Sequence, residues 1–276
     1  MKQVLKDKNF DDFFNEKNKT LSILTGILLV SFSLNYVSDS DQLYYFLLDQ
    51  LDKFEDNFKR YLKDQLKEKT IQNDYYKKSN IILDVLEHNE QSNILTFNYT
   101  NPLRLALETG NKQLTSNIRN VHGDLSNNII IGIDQKAEEI NQEPKNNIVR
   151  QSNEYIYLFS KTYRIMRLAS ERQEKHILNK SIKSIVFYGH SLAAADYSYF
   201  QSIFDFYSIY DSDVTLVFYY SIYKENDRKT ITKTQFDSIR KLLIEYGTTL
   251  DNKDHGKNLL HKLLLEDRLI IKELNY

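Results

Sequence analysis

Short apolar runs that do not alternate in polarity recur between amphipathic helical stretches, at residues 93–97, 118–121, 129–133, 182–188, 215–220 and 269–272. A strand with no polar side is buried on both faces, so runs of this kind interleaved with helices predict a parallel sheet covered on each side. The expected fold class is therefore α/β, a Rossmann-like doubly wound parallel sheet with helical insertions. Ligands in such sheets bind just past the carboxyl ends of the strands. Three of the runs end in polar turns: Asn98-Tyr99-Thr100, His122-Gly123-Asp124 and Gly189-His190-Ser191. Those turns are where chemistry is expected.

The 276 residues fit a single domain spanning 1–276. A helical segment is expected over about 41–90. Its first helix, 41–68, carries Leu43, Phe46, Leu47, Leu51, Phe54, Phe58, Tyr61, Leu62 and Leu66 at three- and four-residue steps, a stripe that reads as core packing. A second helix covers 75–88. Further helices are expected over 103–109, 153–168, 170–179, 197–207, 232–246 (stopped by Gly247) and 256–265. The polar stretch 135–150 contains Pro144 and reads as a mobile loop.

Composition narrows the function. The chain has no cysteine, which removes disulfides, thiolate metal sites and cysteine nucleophiles, and no metal is expected. A net charge of −1 disfavours a nucleic-acid binder that works by bulk electrostatics. The opening Met1-Lys2-Gln3-Val4-Leu5-Lys6-Asp7 is too charged for a signal peptide. The most apolar run, 21–34, falls short of the ~20 residues a membrane span requires. A cytoplasmic protein without a membrane partner is expected. With only 7 glycines there is no Gly-rich phosphate loop and no G-x-G-x-x-G, and each glycine is informative about close approach or positive φ.

Gly189-His190-Ser191-Leu192-Ala193 comes close to the G-x-S-x-G nucleophile elbow of an α/β-hydrolase. The elbow also needs an acid and then a histidine downstream. Asp211 or Asp213 could be the acid, followed by His255 or His261. His261 lies on an apolar-striped helix, His255 sits in a polar linker, and no HGGG-like loop precedes the serine. Ser191 is therefore not read as a nucleophile, His190 is read as a loop residue and Asp196 as a cap for the helix that follows.

Thr96-Phe97-Asn98-Tyr99-Thr100, Val121-His122-Gly123 and Gly189-His190-Ser191-Leu192 with Asp196 resemble, in this order, segments of the sirtuin-like superfamily. With Ile131-Gly132-Ile133-Asp134 between the second and third, they are more similar to the AbiH family of bacterial abortive-infection proteins, over residues 93–200. The resemblance implies a sirtuin-like fold, a role in phage defence and a pocket for NAD as substrate or ligand. It also implies Asn98 and His122 as catalytic residues that cleave NAD to nicotinamide and ADP-ribose. Thr96, Thr100, Gly123, Gly189, Ser191 and Asp196 are implied to bind the dinucleotide. A phage or host trigger protein and self-association are the further partners to expect. The alternative is a non-catalytic nucleotide-sensing or protein-binding module in the same defence role.

Two departures from the pattern carry expectations. Thr100 stands where many sirtuin-like proteins have an aspartate that grips the nicotinamide amide. Full-length relatives open with a strand and a Gly-rich turn that receives the diphosphate, whereas no glycine here precedes Gly26. The expectation is a truncated start or a lost diphosphate site, with weak NAD binding.

Overall fold

The computed structural model describes residues 40–67, 69–87, 92–101, 117–132, 156–169 and 176–274. The elements are α1 (Ser40–Gln65), α2 (Lys69–Glu87), β1 (Ile94–Thr96), β2 (Ile118–Asn120), α3 (Lys161–Ala169), β3 (Ser184–Tyr188), α4 (Tyr197–Phe206), β4 (Thr215–Tyr220), α5 (Arg228–Thr249), α6 (Lys253–Leu265) and β5 (Leu269–Glu273), with a 3-10 turn at Ala194–Asp196. The apolar run 21–34, the opening segment, the helix expected over 103–109 and the loop expected over 135–150 lie outside the described residues. Chain packing divides into two units, Met1–Phe54 and Glu55–Tyr276. Of the first, the described part is the leading portion of α1.

The fold is mixed α/β, with parallel strands in two small sheets. β1 pairs with β2, and Ile94 faces Ile118. The larger sheet runs β3-β4-β5, with Val186, Val217 and Ile270 in register. Parallel neighbours need a crossover. α4 supplies the first, and the α5–α6 pair the second. Because right-handed crossovers that step the same way along a sheet fall on the same face, all three helices reach one core. Phe200 and Phe204 from α4, Ile239, Leu243 and Tyr246 from α5, and Leu259 and Leu263 from α6 pack with Leu216 and Phe218 of β4. Phe187 of β3 stacks on Phe218 with ring centroids 4.4 Å apart. The described strands of this sheet show no reversal of order. Val186 is 38% exposed, so β3 alternates between its faces, unlike the doubly buried strand expected.

Several local expectations change. Residues 129–132 form no strand. Ile129 makes an isolated antiparallel bridge to Gly123, and Ile129 and Ile130 are buried by loop packing. Residues 176–179 are not helical. The stripe of α1 is rotated from the face the aromatics suggest. Phe46, Phe54 and Tyr61 are exposed, and the inward side carries Glu55. The reason is an ion pair: Glu55 meets Arg164 of α3 at 2.5 Å and accepts the Ile131 N–H at 2.6 Å.

Gly247 does not stop a helix, since α5 runs through it to Thr249. It is instead a contact between backbones. A Cβ at Gly256 would lie 2.0 Å from the Gly247 oxygen, and one at Gly247 would lie 2.5 Å from the Gly256 oxygen. The helix ends use other residues. Ser208 and Asp267 take positive φ after α4 and α6, and the next N–H reaches back to Phe204 and Leu263, as in a Schellman ending.

Gly256→Ala should therefore destabilise the second unit by about 1–3 kcal/mol, the usual cost of overpacking, despite alanine's higher helix propensity. Urea unfolding measures this, and a neutral or stabilising result would mean that α5 and α6 can part without loss.

Candidate functional site

The ends of β1, β2 and β3 come together around one aromatic ring. The N–H of Val121 donates to the Thr96 carbonyl at 2.9 Å, which continues the β1–β2 ladder into the turns. Asn120 Nδ2 donates to the Asn98 carbonyl at 2.9 Å, and the Asn98 N–H donates to Thr96 Oγ1 at 3.1 Å. The Asn98 backbone is fixed from both sides while the residue itself is exposed. Phe97 lies 5.7 Å from the His122 ring and 4.6 Å from the His190 ring, centroid to centroid. Two of the polar turns are thus joined to the third through Phe97.

Asp196 lies at the middle of this convergence. Its Oδ1 is 2.7 Å from Lys161 Nζ and 3.4 Å from His122 Nε2, and its Oδ2 is 3.2 Å from His190 Nε2. Asp196 occupies the N-cap position of α4, but its side chain makes no capping bond. The expected cap is therefore corrected: the carboxylate turns to the cations, where charge pairing is stronger than a neutral cap. Lys161 had no motif to announce it. It opens α3, and Gly132 lets the chain pass, since a Cβ there would sit 2.9 Å from both Phe159 O and Lys161 N. The glycine of Ile131-Gly132-Ile133-Asp134 was the usable signal.

The protonation pattern follows from geometry. The Leu192 N–H donates to His190 Nδ1 at 2.9 Å, so in the neutral ring Nε2 carries the hydrogen and donates it to Asp196. Burial lowers the His190 imidazole below its ordinary value, against the opposing pull of Asp196. Burial alone would raise the Asp196 carboxyl, but the Lys161 ammonium and the two histidines outweigh it and hold the group below its usual range. Burial, with the carboxylates of Glu55 and Asp196, raises the Tyr99 phenol.

The other expected site residues are placed as follows. Thr96 uses its hydroxyl on the Asn98 N–H, and Thr100 Oγ1 lies 2.5 Å from the Tyr75 hydroxyl. Gly123 has φ +81 and closes against Asn128, where a Cβ would meet the carbonyl oxygen at 1.9 Å. Gly189 has φ +69 with nothing within 4 Å of an added Cβ. Ser191 is exposed, and its Oγ accepts the Ala193 N–H at 3.4 Å. The residue after an elbow serine should offer its N–H to an oxyanion, yet the Leu192 N–H is held by His190, and the positive φ of 55 falls on Leu192. The turn is not built as a nucleophile elbow.

A histidine whose folded pKa lies below the unfolded value of 6.5 is protonated more readily in the unfolded chain. Its contribution to stability is complete above pH 6.5 and is lost as pH falls through the folded value. Asp196 has the same sign, but its window begins only below 3.8. The melting temperature should fall between pH 7.5 and 5.5, and less steeply in His190→Gln. Equal slopes in the two proteins would remove His190 as a source.

Among the described residues, no helix is long and apolar enough to cross a membrane. Comparison with curated proteins and with solved structures gives no significant match. The family model described as bacteriophage abortive infection AbiH matches residues 2–220, a span that contains β1, β2, Lys161 and the turn after β3. The strand-end turns and the Asp196 cluster described above are thus features of a chain that belongs to the AbiH family of bacteriophage abortive-infection proteins.

Proposed function

We propose that this AbiH protein acts in phage defence by binding NAD at the ends of β1, β2 and β3 and hydrolysing it to nicotinamide and ADP-ribose in the cytoplasm. In this reading the two small sheets are parts of one Rossmann-like, sirtuin-like sheet. The observation that carries it is the meeting of the β1, β2 and β3 turns around Phe97, with His122 and His190 beside one ring. Strand-end turns are where such sheets hold ligands.

The residue types suit the chemistry. The bond between ribose C1′ and the pyridinium nitrogen breaks, and its electron pair stays with nitrogen. Nicotinamide leaves neutral, and no acid is needed to protonate it. A water oxygen bonds to C1′, and one of its protons passes to His122. Asn98 orients that water with an amide that both donates and accepts. Ser191 contacts a ribose hydroxyl, and the open space at Gly189 admits the ligand. Thr96 and Thr100, whose hydroxyls are engaged by Asn98 and Tyr75, shape the first turn.

A second reading has an observation of its own. The hydroxyls of Thr96, Thr100 and Ser191 each have a partner within the protein. Hydroxyl oxygens engaged in this way favour a non-catalytic sensor that recognises a nucleotide, or a phage or host protein.

Nicotinamide release from NAD by the purified protein separates the two. Turnover is expected, and Asn98→Ala and His122→Ala should each lower it by ~10²–10⁴-fold, the usual cost of losing an oriented catalytic group, in chains that still fold. NAD binding by calorimetry without release would support the sensor. Full turnover in both variants would reject the site.

A further inference from the structure

Asp196 has partners from three places in the chain. Lys161 comes from the start of α3, His122 from the turn after β2 and His190 from the turn after β3. The carboxylate is largely buried, with its side chain 15% exposed, and Lys161 and His190 are each 16% exposed. A buried carboxylate left without partners is costly, so an arrangement of this kind persists only when each charge is answered. Tyr99, whose phenol is raised in part by Asp196, also feels it.

The two histidine contacts use different oxygens. Oδ2 takes the Nε2 hydrogen of His190, while Oδ1 accepts from Lys161 and lies 3.4 Å from His122 Nε2, an ion-pair contact. His190 cannot turn its ring without losing either Asp196 or the Leu192 N–H. His122 is 6% exposed, with Tyr199 and Phe97 against its ring at 5.9 and 5.7 Å. Ring packing limits its tilt but does not decide which nitrogen carries the hydrogen. The Asp196 carboxylate, 3.4 Å from Nε2 at ion-pair distance rather than in a made hydrogen bond, favours a proton on that nitrogen.

We propose that Asp196 is a positioning residue that fixes the tautomer and orientation of His122 and His190 together, and that Lys161 is its counter-ion, holding the carboxylate ionised and in place. Lys161 and Asp196 touch the histidines rather than the reacting atoms. Their catalytic importance rests on the reading of His122 as the base, but the positioning itself does not. A lysine–aspartate pair that merely tied α3 to α4 would shift the imidazole titrations by its charge but leave their tautomers untouched.

Nitrogen-detected NMR of the full chain, labelled at histidine, reads both rings directly. In the wild type, the His190 nitrogens should report the Nε2–H tautomer at neutral pH. Asp196→Asn removes the charge and leaves Lys161 unanswered, so both titration midpoints should move down by about one pH unit. Lys161→Met removes the competing cation, so both midpoints should move up. Opposite shifts show that both rings feel the shared carboxylate, and a changed His122 tautomer in Asp196→Asn is the signature of positioning. Unchanged midpoints, shifts of the same sign, or a His122 tautomer that persists in Asp196→Asn would overturn the proposal. If Asp196→Asn does not fold, Lys161→Met alone decides by the sign of its shift. The same samples are assayed with NAD. Opposite shifts with the changed tautomer, in a protein that releases no nicotinamide, would sustain the positioning and sink the hydrolase reading. Turnover with unmoved midpoints would do the reverse.

Discussion

Lys161 Nζ lies 2.7 Å from Asp196 Oδ1, and both groups are mostly withdrawn from water. Neither charge could stay there alone, because the cost of taking an isolated ion from water far exceeds what packing returns. The pair therefore fixes where α3 begins relative to the turn that precedes α4. The two histidines then complete the carboxylate's coordination from the remaining strand ends. Phe97 supplies the apolar floor, touching His122, His190, Tyr199 and Phe200.

A second ion pair repeats the arrangement one helical turn along α3. Arg164 meets Glu55, and Glu55 also holds the Ile131 N–H. Residues three apart lie on neighbouring positions of a helix face. One short helix therefore presents Lys161 to the strand-end turns and Arg164 to α1. Gly132 allows α3 to start so near the 129–132 segment. Tyr99 joins the two systems. Its hydroxyl donates to the Ile130 carbonyl at 2.9 Å, and its ring meets Phe58 of α1 edge-on. Placing His122 and Asn98 thus depends on charges located well outside their own turns.

Much of this was legible in the sequence because it rests on local pattern. The run Thr215–Tyr220 is a strand with the expected bounds, and β1, β2, β3 and β5 fall where unalternating apolar runs predicted them. The three polar turns stand at strand ends for the same reason. What was not legible depends on contacts distant in sequence. Asp196 reads locally as a helix cap, and only the fold brings Lys161, 35 residues away, to its carboxylate. The stripe of α1 reads as a simple apolar face until Glu55 is drawn inward by Arg164. Residues 129–132 have the composition of a strand, but Gly123 offers them a single bridge where a strand needs a ladder. Gly247 reads as a stop because glycine so often is one. Here it permits two helix backbones to touch, which depends on Gly256 at the matching position.

The reading of the site as an NAD hydrolase in phage defence is tested most directly inside infected cells. NAD is measured over the course of phage infection in bacteria that express the wild-type chain or His122→Ala at equal abundance. The account predicts that NAD falls after infection only in cells with the wild-type protein, and that protection is lost together with that fall. Protection that persists in His122→Ala cells, or that proceeds in wild-type cells at constant NAD, would contradict it.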